Sequence, residues 1–289
     1  MLGLLNVHKP AGITSRDAVN RVQRLVKPLK VGHAGTLDPL ASGVLVLGIG
    51  KATRLMKFVQ RMPKRYQGTF LLGWESDTED VLGEMQEVPV EAIPSLADIQ
   101  AQLPQFIGQI EQRPPAYSAV KVKGQRAYAL ARKGKEVHLE SRPVQVHDVQ
   151  IVSYEFPKLE LAITCGSGTY IRSLGRDLAN RLGTVAVMES LVRASIGSFD
   201  LSDAVLVDSS NPVEVQEHLL PVIRAVEGLP SIVLDQQSLT KIAKGQPIPL
   251  PESCRGDEVA LCDDTGNLLA ILVNSGGDLW RPSPNLIAS

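Results

Sequence analysis

Apolar positions follow two different periods along the chain. Ala18, Val19, Val22, Leu25 and Val26 recur at helical spacing, with Thr14 or Ser15 placed to cap the stripe and Pro28 to end it. Val44 to Ile49 is a continuous apolar run bounded by glycines, the pattern of a buried strand. Tyr66 to Leu72 reads as another strand, and about Ser95 to Leu103 as a helix. Leu159 to Cys165 alternates, and Gly166 and Gly168 then mark a turn into a further helix. On that helix Ile171, Leu174, Leu178 and Leu182 face one way, while Arg172, Arg176 and Arg181 lie off the stripe. Two stretches break the pattern. Pro114 to Pro143 is basic and poor in large apolar residues, which predicts an excursion from the core. Beyond Pro221 to Pro230 the chain turns to short strands, clearest in residues 258–273, where Asp-Asp-Thr-Gly-Asn joins two strand-like runs. A domain boundary is placed near residue 228, with a small β-rich module in 229–289.

Composition narrows the class. A chain of 289 residues suits one large domain, or one domain with a small companion. Its 44% hydrophobic and 21% charged residues are those of an ordinary globular protein. No apolar run reaches the length that spans a bilayer, and no membrane association is expected. Met1 to Leu5 is too short for a signal peptide and is interrupted by His8, Lys9 and Pro10. Cys165, Cys254 and Cys262 show no CxxC spacing and read as free thiols in a reducing compartment, so a cytoplasmic protein is expected.

Net charge is only −1, but it is segregated. Residues 1–66 hold 12 Lys and Arg against Asp17 and Asp38, whereas residues 67–112 hold 9 acidic residues and no Lys or Arg. Residues 113–143 return to 8 basic against 2 acidic. Such blocks form basic patches suited to phosphate if they stay apart in the fold, and cancel if the fold interleaves them. Taken alone, the blocks leave both arrangements open.

Several chemistries fail on spacing. Gly48-Ile-Gly-Lys-Ala-Thr53 has Leu45 and Ala52 where a nucleotide-binding P-loop needs Gly and Ser or Thr. His8, His33, His138, His147 and His218 are scattered, and no metal site is predicted. No Gly-x-Ser-x-Gly elbow occurs. Carboxylate chemistry remains, with Asp38 the best candidate. Pro39 biases it toward an extended conformation, and Leu37 and Leu40 flank it. A carboxylate at the edge of a core needs a cation nearby to stay ionised.

The surrounding residues carry a resemblance. Gly-His-x-Gly-Thr-Leu-Asp-Pro-x-Ala-x-Gly-Val-Leu, from Gly32 to Leu45, resembles the active-site motif of the TruB family of tRNA pseudouridine synthases. Four more blocks follow that family in order and spacing. They are Asn6-Val-His-Lys-Pro-x-Gly-x-Thr-Ser15; Lys64-Arg-Tyr66 with Gly73 and Ser76-Asp-Thr-Glu-Asp-Val-Leu-Gly83; Pro114-Pro-Ala-Tyr-Ser-Ala-Val-Lys121 with the 127–134 run; and Gly166-Ser-Gly-Thr-Tyr-Ile-Arg-Ser-Leu174. Together they cover about residues 4–199.

The resemblance implies isomerisation of uridine at position 55 of the tRNA T loop, without metal or organic cofactor and with no protein partner, the enzyme acting as a monomer. It implies Asp38 as nucleophile, attacking the base or the ribose of a flipped-out nucleotide. Arg172 would pair with Asp38, and Tyr66 would lie against the uracil and take up its proton. His33 would contact the T loop, and Lys9, Tyr170 and Leu191 would shape the pocket. Residues 114–143 would be a thumb held against RNA, and residues 229–289 would form a PUA-like barrel. The basic segments 1–66 and 113–143 would meet RNA phosphates, which favours separate patches over cancellation. One departure stands out. Leu191-Val-Arg-Ala-Ser-Ile-Gly-Ser-Phe199 has Val192 and Ala194 where the family has Arg and Thr, which puts contacts near Arg193 in question. The expected fold is thus α+β, a mixed catalytic domain (1–228) on a largely antiparallel sheet plus the β-rich module. The rival reading is a non-catalytic RNA-binding protein or tRNA-folding chaperone of the same fold.

Overall fold

The computed structural model describes residues 1–289 except 119, 123, 132–136, 138, 207–213, 252–253, 255 and 288–289. The main sheet contains β1 (Gly3–Lys9), β2 (Val31–His33), β3 (Ser42–Ile49), β4 (Lys64–Leu72), β5 (Gly108–Gln112), β6 (Arg142–Glu155), β7 (Lys158–Cys165), β8 (Ala186–Ile196) and β9 (Val205–Leu206). Its order is β9-β1-β3-β8-β4-β7-β6-β5, with β2 beside β3 and the pair Phe199–Asp200 beside β8. Two contacts are parallel, β1 with β9 and β3 with β8, and the other strand pairs are antiparallel.

The continuous apolar run in β3 has a simple cause: this strand is covered on both faces. Leu45, Leu47 and Ile49 join Leu5 and Val7 under α1 (Ser15–Leu25), packing on Ala18, Val19 and Val22. Val44 and Val46 face the other way, into a cluster with Leu55, Phe58 and Val59 around α2 (Met56–Arg61). The cap of α1 is Thr14, whose side chain accepts from the Asp17 amide while the Asp17 carboxylate accepts from Thr14 N at 3.0 Å. That frees Ser15 for another role. Ser95 caps α3 (Leu96–Gln102) in the same way, with Asp98. The predicted arginine-bearing helix is α4 (Ile171–Arg181), and its Ile171, Leu174 and Leu178 pack on Phe70, Leu161 and Ile163.

Part of the predicted excursion, including 132–136 and His138, lies outside the described residues. Within 114–143, Lys121–Val122 pairs with Gln125–Arg126, Ala127–Ala131 is helical, and Arg142 and Pro143 already belong to β6. The carboxy-terminal residues form a second sheet from β10 (Ser231–Val233), β11 (Ile248–Pro249), β12 (Glu258–Cys262), β13 (Leu268–Asn274) and β14 (Leu279–Asn285), in the order β10-β12-β13-β14-β11, with α5 (Gln236–Ala243) packed on it. The predicted hairpin is β12–β13. Its turn is tied by Asp263 Oδ1, which accepts from the amides of Thr265 at 3.0 Å and Asn267 at 2.8 Å. Ala260, Cys262 and Ile271 enter the same core cluster as Val44, and Glu258 pairs with Arg61 and Lys57, so this sheet is seated against α2. No described helix is long and apolar enough to cross a membrane.

Candidate active site

The loop between β2 and β3 carries Asp38, and backbone contacts fix it from both sides. Ala34 N donates to Val46 O at 2.9 Å, and Gly35 then turns through φ +97, a conformation open to glycine at little cost. Ser15 Oγ accepts from Leu37 N at 2.8 Å and donates to Leu37 O at 3.0 Å, clamping the residue before the aspartate. Gly12 N donates to Pro39 O at 2.8 Å, and Ala41 N closes a turn onto Asp38 O at 3.1 Å. The amino-terminal motif thus builds the frame in which the aspartate sits. The Asp38 side chain is 34% exposed, at the edge of a core that contains Leu37 and Ala41.

Arg172, on the first turn of α4, meets Asp38 from the other side. Its Nε donates to Asp38 Oδ2 at 2.9 Å, Nη1 to Thr78 O at 2.6 Å and Nη2 to Tyr117 O at 3.1 Å. Asp80 Oδ2 lies 3.9 Å from Nη1, and the guanidinium is only 4% exposed. Three separate segments therefore converge on one cation. One turn later Arg176 pairs with Glu79, whose other oxygen accepts from Ser173 Oγ at 3.0 Å. Here the acidic block and the arginines of α4 interleave and cancel. The cations Arg16, Arg24, Lys27 and Lys30, on and after α1, instead stay exposed, with no ion pair to a described carboxylate. Separate patches, the arrangement the resemblance favours, hold around α1, whereas beside α4 the blocks cancel.

Around this pair stand the other expected residues. Tyr66 on β4 and Arg193 on β8 are direct cross-strand partners. Burial pushes the Tyr66 phenol up, the nearby Arg193 charge pulls it down, and Asp38 adds a smaller upward push. Leu191 is buried in the cluster against which Tyr66 packs. Lys9 is fully buried; its Nζ donates to Pro10 O at 2.9 Å and Ile13 O at 2.8 Å. Desolvation pulls its ammonium down to about 8, partly opposed by the charge of Asp38. Lys9, Tyr66 and Arg172 thus all sense Asp38. His33, at the end of β2, faces Gly35, Arg16 and Arg193 instead. Burial holds its imidazole below the ordinary range, and its buried Nδ1 has no hydrogen-bond partner among the described residues. Tyr170 precedes α4, fixed by buried Gln112, which accepts from Tyr170 N at 2.8 Å and donates to Tyr170 O at 3.0 Å. The Arg142 guanidinium lies 5.2 Å from the Tyr170 ring centre.

Four contributors were not assigned to the site from the sequence: Ser15, Asp80, Gln112 and Arg193. Ser15 and Asp80 lie inside quoted motifs, and that membership was the usable signal. Gln112 had none. Val192 and Ala194, beside Arg193, are half-buried and alternate with buried Leu191, Arg193 and Ser195 along β8, so they lie on the opposite face of the strand from Arg193.

Comparison with known proteins decides the family. The model of the TruB family pseudouridylate synthase amino-terminal domain matches residues 23–171. The chain is 41% identical to a tRNA pseudouridine synthase B of Synechocystis, over 87% of each chain. It is 38% identical to another of Rhodopirellula baltica, over 97% of this chain and 93% of the relative. The chain belongs to the TruB family. The TruB fold is shared with a Cbf5-Nop10-Gar1 complex structure (24% identity, TM-score 0.75, 99% of this chain and 85% of that one). It is shared too with an H/ACA RNP bound to a substrate RNA containing 2′-deoxyuridine (22% identity, TM-score 0.73, 99% and 85%). Both likenesses run through the carboxy-terminal sheet, a curled half-barrel of the PUA-like kind. The family match reaches from α1 through Asp38 and Tyr66 to Ile171, one residue short of Arg172, whose place is given by the geometry above.

Proposed function

We propose that this TruB chain isomerises uridine 55 of the tRNA T loop to pseudouridine, with Asp38 as the nucleophile. The observation that supports it best is the Asp38–Arg172 pair. Arg172 binds only Oδ2, at 2.9 Å, and Oδ1 makes no hydrogen bond to any described residue. A carboxylate anchored by one oxygen, paired with a buried guanidinium and partly exposed, is placed to attack a base flipped out of its stack.

Product and substrate have the same atoms, so the reaction consumes no co-substrate, and no metal or organic cofactor is assigned to it. The C1′–N1 bond breaks as the carboxylate adds to the ribose or the uracil. The freed uracil turns, C1′ bonds to C5, N1 gains a proton and C5 loses one. Tyr66, against which the base stacks, takes the C5 proton. Lys9, Tyr170 and Leu191 shape the pocket, and His33, held neutral, contacts the T loop. The exposed cations of α1 and those of 113–143 receive phosphates. Residues 1–228 form the catalytic domain, with a thumb in about 114–143, and 229–289 the PUA-like domain. One chain supplies the whole site, which fits a monomer acting in the cytoplasm.

The test is tritium release from a T-arm transcript labelled at C5 of its uridines. Release at one uridine, abolished by Asp38→Asn while RNA still binds, is the expected result. Undiminished release by that variant overturns the role of Asp38, and RNA binding without release by the wild type favours a folding chaperone.

A further inference from the structure

Arg193 is among the largest fully buried side chains of the molecule, at 1% exposure. Among the described residues it forms no ion pair, which is unusual for a buried guanidinium. Its donors end on neutral oxygens: Nε on Val44 O at 2.7 Å, Nη2 on Gly35 O at 3.2 Å and Nη1 on the Tyr66 hydroxyl at a long 3.5 Å. The strands leave it little freedom. Gly43 of β3 lies beside Arg193 in the parallel register, and a Cβ there would overlap the Arg193 backbone. The cation is therefore built in, sealed from solvent, and directed at the backbone of the Asp38 loop and at one phenol. It is too enclosed to touch RNA.

We propose that Arg193 is a positioning residue for proton removal, holding the Tyr66 hydroxyl from the neighbouring strand and placing its cation beside it, so that the phenolate form accepts the C5 proton. The inference rests on Tyr66 being the C5 base, as assigned above. In that step the C5–H bond breaks, its electron pair restores the C5–C6 double bond, and the proton makes Tyr66 a neutral phenol, which later returns it to water. The groups facing the phenol are Arg193 from β8, Asp38 from its loop and Cys165 from β7. Lys64, on the strand of Tyr66 itself, faces Arg193 and Cys165. Cys165 is held neutral by burial, its thiol pushed up to about 11. Burial prevails and, with Asp38, holds the phenol above its ordinary range; Arg193 is the cation whose charge and hydrogen bond limit that rise.

Two single-turnover measurements on the full chain test this. One follows tritium release from C5 of a T-arm RNA. The other follows rearrangement of the same RNA carrying 5-fluorouridine, which has no proton at C5 and stops after the new carbon–carbon bond. For Arg193→Met we expect 5-fluorouridine rearrangement within about twofold of wild type. Tritium release at pH 7 should fall about tenfold, with its pH profile moved about one unit toward alkaline, one unit being a factor of ten. Arg193→Lys, which keeps the charge, should recover most of the loss. Equal slowing of both reactions, or an unmoved pH profile, overturns the inference and leaves Arg193 a structural residue. Tyr66→Phe separates the two assignments. If it releases tritium like wild type, the role of Tyr66 falls and that of Arg193 with it. If it blocks release while Arg193→Met does not, the inference about Arg193 alone fails.

Discussion

Arg172 Nε lies 2.9 Å from Asp38 Oδ2, although the two residues stand 134 positions apart in the chain. The same guanidinium binds the carbonyls of Thr78 and Tyr117, so it aims the carboxylate and also joins the acidic loop to the base of the 114–143 segment. Arg172→Lys keeps the charge but cannot span three acceptors. We expect tritium release to fall by roughly a hundredfold or more, with RNA affinity nearly unchanged, since misplacing a reacting group by an ångström costs about that much. A matched loss of binding would mean that Arg172 serves the RNA rather than Asp38.

Ser15 makes two hydrogen bonds to Leu37 from inside the protein. Ser15→Ala removes both and leaves a buried amide and carbonyl without partners, at a cost of about 1–3 kcal/mol. Urea unfolding should show that loss, and kcat should fall about tenfold or more because Asp38 is the next residue. Ser15→Thr, which keeps the hydroxyl, is expected to be milder on both counts.

Gly175 sits mid-helix in α4, where alanine is normally favoured by about 1 kcal/mol. Here an added Cβ would overlap Cε1 and Cδ1 of Phe70, a core ring at 1% exposure. Overpacking of this kind costs about 1–3 kcal/mol and outweighs the helix gain. Gly175→Ala should lower Tm, and Phe70→Leu in the same chain should restore part of it.

Lys64 offers a pH signature. Burial lowers its ammonium pKa from 10.5 to about 8. Below pH 8 both folded and unfolded chains hold the proton, and the desolvation penalty weighs on the fold in full. Between about pH 8 and 10 the folded chain sheds it first, so the unfolded chain binds more protons and stability rises with pH. Lys64→Met should therefore be more stable than wild type at pH 7, with the advantage shrinking toward pH 10. Cys165 and Tyr66, both raised, push the other way, but they are common to both proteins. Chemical denaturation at four pH values would check this; a constant difference would rule it out.

The exposed cations of α1 bear on RNA affinity. The logarithm of the affinity should fall steeply with the logarithm of salt concentration, and Arg24→Gln with Lys27→Gln should flatten the slope by up to about one unit each. A salt-independent affinity would mean that these charges do not meet phosphate.

Much of the fold was legible because its signals are local. Capping residues, the stripe on α1, the alternation in β7 and the Asp-Asp-Thr-Gly-Asn turn act within a few residues, and each element formed close to its expected bounds. The charge blocks were not decidable in this way. The same acidic run that looked like a separate patch supplies Glu79 and Asp80 to Arg176 and Arg172, and only the chain path brings them together.

The sequence by itself determined the family, the candidate nucleophile and the residue types around it, since ordered motifs and Asp38-Pro39 are written in the chain. Tertiary structure decided the partners. It brought Arg172 to Asp38, turned Ser15 from a possible cap into a clamp on Leu37, and set Arg193 against Tyr66. The reason is physical. Strand pairing brings residues 127 apart within hydrogen-bond reach, and burial then raises the energetic weight of every charge and hydroxyl left there. Neither strand register nor the burial of a particular polar group can be read from residue types alone.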